Sequence, residues 1–93
     1  MIVVAGQITV DPPQRDTFVK LSLESVAAAR QTPACLDFVV AADPIDASRV
    51  NVFELWQSEA ALEAFRGAGP GADLSSMIVS ANVRQYRVNA ADD

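Results

Sequence analysis

The sequence predicts an α+β fold, a four-stranded antiparallel sheet with helices on one of its faces, and three observations lead there. Strand-like runs rich in β-branched residues alternate with capped amphipathic segments in the order βαββαβ. Several of these runs carry large apolar residues on both parities, more than helices on a single sheet face can cover. Finally, 93 residues make one domain, yet 51% of them are hydrophobic. A domain this small buries only about 60–65% of the surface of its unfolded chain, so part of this material is expected at a self-association surface.

The first strand is residues 2–10, with Ile2, Val4, Ile8 and Val10 on one face and Val3, Ala5, Gln7 and Thr9 on the other. Asp11-Pro12-Pro13-Gln14 then signals a helix: Asp11 as N-cap, Pro12 in the first helical position, Gln14 at the capping-box position. This helix is predicted to reach about Arg30, with Val19, Leu23, Val26 and Ala27 turned inward and Lys20 and Glu24 on the wet side. Pro33 bars its continuation. Residues 35–42 read as a second strand with Leu36, Phe38 and Val40 on one face, and the turn formers of 43–49 lead into a third strand over 50–56. Ser58 caps the next helix, with Glu59 supporting its dipole and Leu62 and Phe65 forming its inner stripe. Gly67-Ala68-Gly69-Pro70-Gly71 ends it; a short helix over 72–80 and a last strand over 82–88 are expected to follow. The acidic tail 89–93 reads as frayed, leaving 1–88 as the domain. The order is the split-βαβ, ferredoxin-like arrangement, and a second copy of the sheet is the expected cover for its open face.

Composition narrows the chemistry. Seven Lys and Arg against twelve Asp and Glu give a net charge of −5, with the basic residues scattered. No surplus of cations exists to replace the counterions of nucleic acid or to hold an anionic membrane. No apolar stretch has the roughly 20 residues of a membrane span, and the N-terminal run lacks the basic start of a signal peptide. The single cysteine, Cys35, cannot form an intrachain disulfide and suits a reducing cytoplasm. The sequence contains no histidine. Ser-His-Asp and Cys-His catalysis in their usual forms, the common zinc sites and histidine-ligated haem are thereby excluded.

Taken with the element order, the opening MIVVAGQITVDP, Pro33-Ala34-Cys35-Leu36-Asp37-Phe38, Phe53-Glu54-Leu55-Trp56 leading into Ser58-Glu59-Ala60-Ala61-Leu62, and the closing Tyr86-Arg87-Val88 resemble the antibiotic-biosynthesis-monooxygenase family of dimeric α+β barrels. The resemblance implies a sheet-to-sheet homodimer with one small-molecule pocket per subunit between sheet and helices. It also implies oxidation of a phenol or quinol by O2 as co-substrate, with no metal or flavin; other members degrade haem or isomerise small signalling molecules. The logic of such oxygenation is that a deprotonated, electron-rich substrate reduces O2 itself while the protein desolvates and orients it. Two positions depart from the family pattern. Phe65 stands where many members have a histidine, and Val52 where some quinone-forming members have an asparagine; Asn51, one residue away, faces the other side of the strand.

The candidate pocket residues are Trp56, Tyr86, Phe65, Val52 and Phe18, with Trp56, Tyr86 and Glu54 as the candidates for catalysis. Trp56 brings a large ring and one N–H donor to a strand-to-helix junction, where it can line a pocket or close a core. Tyr86 can hydrogen-bond a substrate oxygen or pack beneath the first helix. Glu54, if buried, gains a raised pKa and serves as a base; otherwise it pairs with Arg84 or Arg87 at a dimer interface. A cavity of about 300 Å³ lined by Trp56, Tyr86 and first-helix side chains is expected of a small-molecule site. Besides the monooxygenase reading stand an isomerase or decarboxylase using Glu54, Tyr86 or Arg84, and a non-catalytic dimeric module for an apolar ligand. The glycine-rich 67–71 loop lacks the Lys-Ser/Thr of a phosphate loop and reads as a lid or connector.

Overall fold

Strand β1 (Ile2–Val10) lies at the centre of the sheet with β3 (Arg49–Trp56) on one side and β4 (Ile78–Arg87) on the other, and β2 (Cys35–Ala42) beyond β3. All three pairings are antiparallel, in the order β2-β3-β1-β4. The computed structural model describes residues 1–69 and 71–89. Asn89 is exposed; the rest of the expected tail, and Pro70, lie outside the described residues.

Helix α1 (Arg15–Arg30) begins later than the sequence suggests. Pro12–Gln14 forms a separate 3-10 turn, and the Asp11 side chain caps nothing. The reason is the doubled proline. Pro13 has no N–H to offer a capping carboxylate, and the Gln14 N–H goes instead to the Asp11 carbonyl at 2.8 Å. The buried stripe of α1 is Phe18, Ser22, Val26 and Ala29. Val19 is half-buried, but Leu23 and Ala27, expected inside, are exposed. At 3.6 residues per turn this is a rotation of roughly a quarter turn. It places the largest ring of the helix in the core. The small Ser22 and Ala29 permit close approach to the sheet, and the Ser22 hydroxyl satisfies itself on the Val19 carbonyl at 2.6 Å.

Helix α2 (Glu59–Ala68) starts as predicted, the Ala61 N–H donating to Ser58 Oγ at 3.2 Å, and ends at Gly69 in the left-handed region. The short helix expected over 72–80 is absent. A single 3-10 turn, Ser75–Met77, takes its place, and β4 starts at Ile78, four residues before the predicted strand. Ile78 and Val79 are β-branched, and Val10 is available to pair with Ile78, so the ladder claims them.

Two apolar clusters fill the space between sheet and helices. Ile2, Val4, Val26, Ala29, Phe38, Trp56 and Leu62 form the larger. Val10, Phe18 and Val50 form the other. Gly6 lies between them. Its φ of 153° and the close approach of the Asn82 carbonyl and Val83 Cα leave no room for a Cβ. On the opposite face of the sheet no described residue is buried, since none of the described elements covers it.

Candidate functional site

Alternation along β3 turns Val50, Val52, Glu54 and Trp56 toward the helices and Asn51, Phe53 and Leu55 away from them. Trp56 is fully buried. Its ring meets Phe38 edge-on at 6.4 Å and Phe65 at 5.2 Å, and the two phenylalanine rings are 5.8 Å apart. Such ring pairs add about 0.5–1.5 kcal/mol each beyond the area they bury. The indole N–H does not go unmet: Nε1 donates to Glu54 Oε1 at 2.9 Å.

Glu54 is half-buried, with Phe38 and Val4 as its cross-strand neighbours. Burial pushes its carboxyl above the ordinary value, against the opposing pulls of the indole hydrogen bond and the Arg66 charge. Within the single chain Glu54 pairs with neither Arg84 nor Arg87, the arginines expected to meet it at a dimer interface. Arg84 projects from the other face of the sheet, its Nε toward Asn82 Oδ1 at 3.4 Å, and Arg87 Nη2 binds Glu59 Oε2 at 2.8 Å. Next along the sheet Gly6 is paired with both Val52 and Val83. All three are half-buried, so a shallow apolar strip runs beside the carboxylate, with β4 drawn close at Gly6.

The structure thus packs Trp56 against Phe65 and bonds it to Glu54, while Val52 shares only their face of the sheet. Phe18 lies in the neighbouring cluster. Tyr86, cross-strand from Val3, stands on the opposite face and is 48% exposed. One pocket lined by both Trp56 and Tyr86 is therefore not assembled, because period-2 alternation sends residues paired with Ile2 and Val3 to different sides. No cavity of ligand size opens among the described residues; Phe38, Phe65 and Leu62 occupy the space beside the indole. Phe38 and Gly6 were not singled out as site residues by sequence. The signal for Gly6 is a glycine inside a β-branched strand, a mark of close backbone approach.

Other polar residues are committed to structure. Asp43 Oδ1 accepts from Asn51 Nδ2 at 2.9 Å, and Oδ2 from the N–H groups of Asp46 and Ile45. Led by the Asn51 bond, these hold its pKa down at about 2. Arg15 Nη1 ties the carbonyls of Asp43 and Asp46 from α1. Burial pushes the Cys35 thiol up, which disfavours a thiolate. In the glycine-rich loop, Gly71 sits against Ser25 of α1, while Gly67 and Gly69 are exposed with open space around them.

A four-stranded antiparallel sheet with both helices on one side, and an aromatic–carboxylate pair at the strand-to-helix junction, define a ferredoxin-like α+β domain. The chain belongs to the antibiotic biosynthesis monooxygenase family, whose sequence model matches residues 1–70. Rv0793 from Mycobacterium tuberculosis has a similar fold, with a TM-score of 0.79 at 15% identity over 99% of this chain and 98% of that one. So has a candidate antibiotic biosynthesis monooxygenase from Deinococcus radiodurans, with a TM-score of 0.78 at 16% identity over 100% and 97%. At these identities the likeness concerns the fold. The protein sll1783 of Synechocystis sp., itself uncharacterized, is 34% identical over 62 residues, spanning 67% of this chain but only 42% of that protein.

Proposed function

We propose that the protein is a cofactor-independent monooxygenase that oxidises a small aromatic phenol or quinol with O2. One observation carries the reading: a half-buried carboxylate with a raised pKa, Glu54, is fixed by the Trp56 indole beside the apolar strip of Gly6, Val52 and Val83. A base tuned upward takes a phenolic proton more readily than an ordinary carboxylate does. Glu54 Oε1 is held by the indole, which leaves Oε2 to meet the substrate hydroxyl. The resulting phenolate donates electrons to O2. In an anthrone-type substrate, one oxygen atom ends in a new carbonyl and the other leaves as water with the two hydrogens of the oxidised carbon. The ring lies on the strip rather than against the enclosed face of Trp56. Family membership supports the reaction class.

The test is O2 uptake with anthrone- and quinol-type substrates, compared between wild type and Glu54→Gln. Uptake reduced by about 10²–10⁴-fold in the variant is expected for a lost general base; no uptake by wild type across the panel overturns the reading. The same carboxylate supports an isomerase or decarboxylase, which would turn over without O2 and with a bell-shaped pH profile. The working form is read as a cytoplasmic homodimer built on the open face of the sheet.

A further inference from the structure

All but one of the arginines are tied down within the chain. Arg15, Arg30, Arg49, Arg84 and Arg87 each donate a hydrogen bond to a carbonyl or side-chain oxygen. Arg66 has neither a hydrogen bond nor an ion pair among the described residues. It stands in the last turn of α2, one turn beyond the buried Leu62, so it leaves the helix on the side that faces the sheet. Phe65, the residue before it, packs against Trp56, and the Trp56 indole is bonded to Glu54. The Arg66 charge is near enough to pull on the Glu54 carboxyl. Beyond it, Gly67 and Gly69 are exposed and carry no side chain that could crowd the guanidinium.

We propose that Arg66 binds an anionic group of the substrate, and that the substrate is a phenol or quinol carrying a carboxylate on its ring system. This rests on the reading that Glu54 takes a phenolic proton, and adds what else the ligand carries. A guanidinium offers paired N–H donors in a fixed plane, which match the two oxygens of a carboxylate. One guanidinium balances one negative charge. A phosphate dianion would leave an uncompensated charge beside the Glu54 carboxylate. Without a cation at the site a carboxylate would be turned away, because the chain has a net charge of −5 and Glu54 is itself acidic. Pairing with the ligand also offsets the Arg66 charge. Glu54 is then freed from that downward pull, and the base is strengthened as the substrate arrives. A last-turn arginine complements the helix dipole as well. That role involves no ligand and gives no preference among substrates.

The experiment is calorimetric titration in the absence of O2, with naphthohydroquinone and its ring carboxylate as the two probes, on wild type, Arg66→Gln and Arg66→Lys. Arg66 is exposed, so neither substitution disturbs the core. Wild type is expected to bind the carboxylate about 3–30-fold more tightly than the plain quinol, between the worth of an exposed ion pair and that of an enclosed one. Arg66→Gln should abolish this preference and leave the affinity for the plain quinol unchanged. Arg66→Lys keeps the charge but loses the paired donors, and should retain part of the preference. Added salt should weaken binding of the carboxylate alone. No preference in wild type, a preference that survives in Arg66→Gln, or equal weakening of both probes overturns the anion site. Binding of neither probe overturns it too. The oxidation reading fails separately: an Arg66-dependent preference with no O2 uptake from either probe keeps the anion site and removes the monooxygenase. Uptake that depends on Glu54 but shows no preference does the reverse.

Discussion

At residue scale, Glu54 and Asp43 are carboxylates with opposite pH behaviour. Burial raises the pKa of Glu54 from its ordinary 4.5, so ionising it costs the folded state. Its contribution to stability is complete below 4.5 and falls as pH rises through the folded value. Glu54→Gln keeps an acceptor for the indole and removes the titration. Its melting temperature should therefore fall less than that of wild type between about pH 4 and 8, as read by calorimetry. Asp43 goes the other way, from 3.8 down to about 2. Its contribution is present above 3.8 and is lost as pH falls toward 2. Asp43→Asn should flatten the acid limb of the stability curve, measured by urea denaturation at stepped pH. Trp56→Phe keeps much of the ring packing but leaves Glu54 Oε1 without its donor. The expected loss is about 1–3 kcal/mol, followed by circular dichroism in urea.

Elements are decided by backbone accounting more than by propensity. The doubled proline forbids the expected cap and delays α1, while Ser58 has free N–H groups ahead of it and caps α2. Ser58→Ala should cost about 1 kcal/mol in denaturant titration. Gly6→Ala tests the β1–β4 approach. A Cβ there would run into the Asn82 carbonyl, and neither backbone can yield without breaking the ladder. Faster amide exchange along β4 than along β3 is the expected signature. β4 is the vulnerable element, an edge strand whose residues are exposed or only half-buried in the single chain.

For the whole molecule, the two faces of the sheet differ: both helices pack on one, and no described residue covers the other. The helix side holds the Glu54–Trp56 pair; the open side carries Tyr86, Arg84 and Asp37, all exposed. Substitutions on one face should leave the other's readout unchanged. Tyr86→Phe is therefore expected to spare O2 uptake, since its ring stands on the face away from Glu54. Had Tyr86 been a substrate ligand, uptake would fall.

The sequence by itself determined the element order, the antiparallel sheet, the cap at Ser58 and the face to which Glu54, Val52 and Trp56 belong. These follow from local rules: alternation, periodicity, capping chemistry and turn residues. The rotation of α1, the early start of β4, the separation of Tyr86 from Trp56 and the closed packing of the indole came only with tertiary structure. Each depends on which surfaces meet. Phe18 outcompetes Leu23 for the core because the sheet has a space for a large ring at Val10 and Val50. Ile78 joins a strand because Val10 stands ready to pair with it. Tyr86 is parted from Trp56 because pairing fixes them beside Val3 and Ile2, one residue and therefore one face apart. Non-local pairing free energy decides such questions, and a single segment does not contain it.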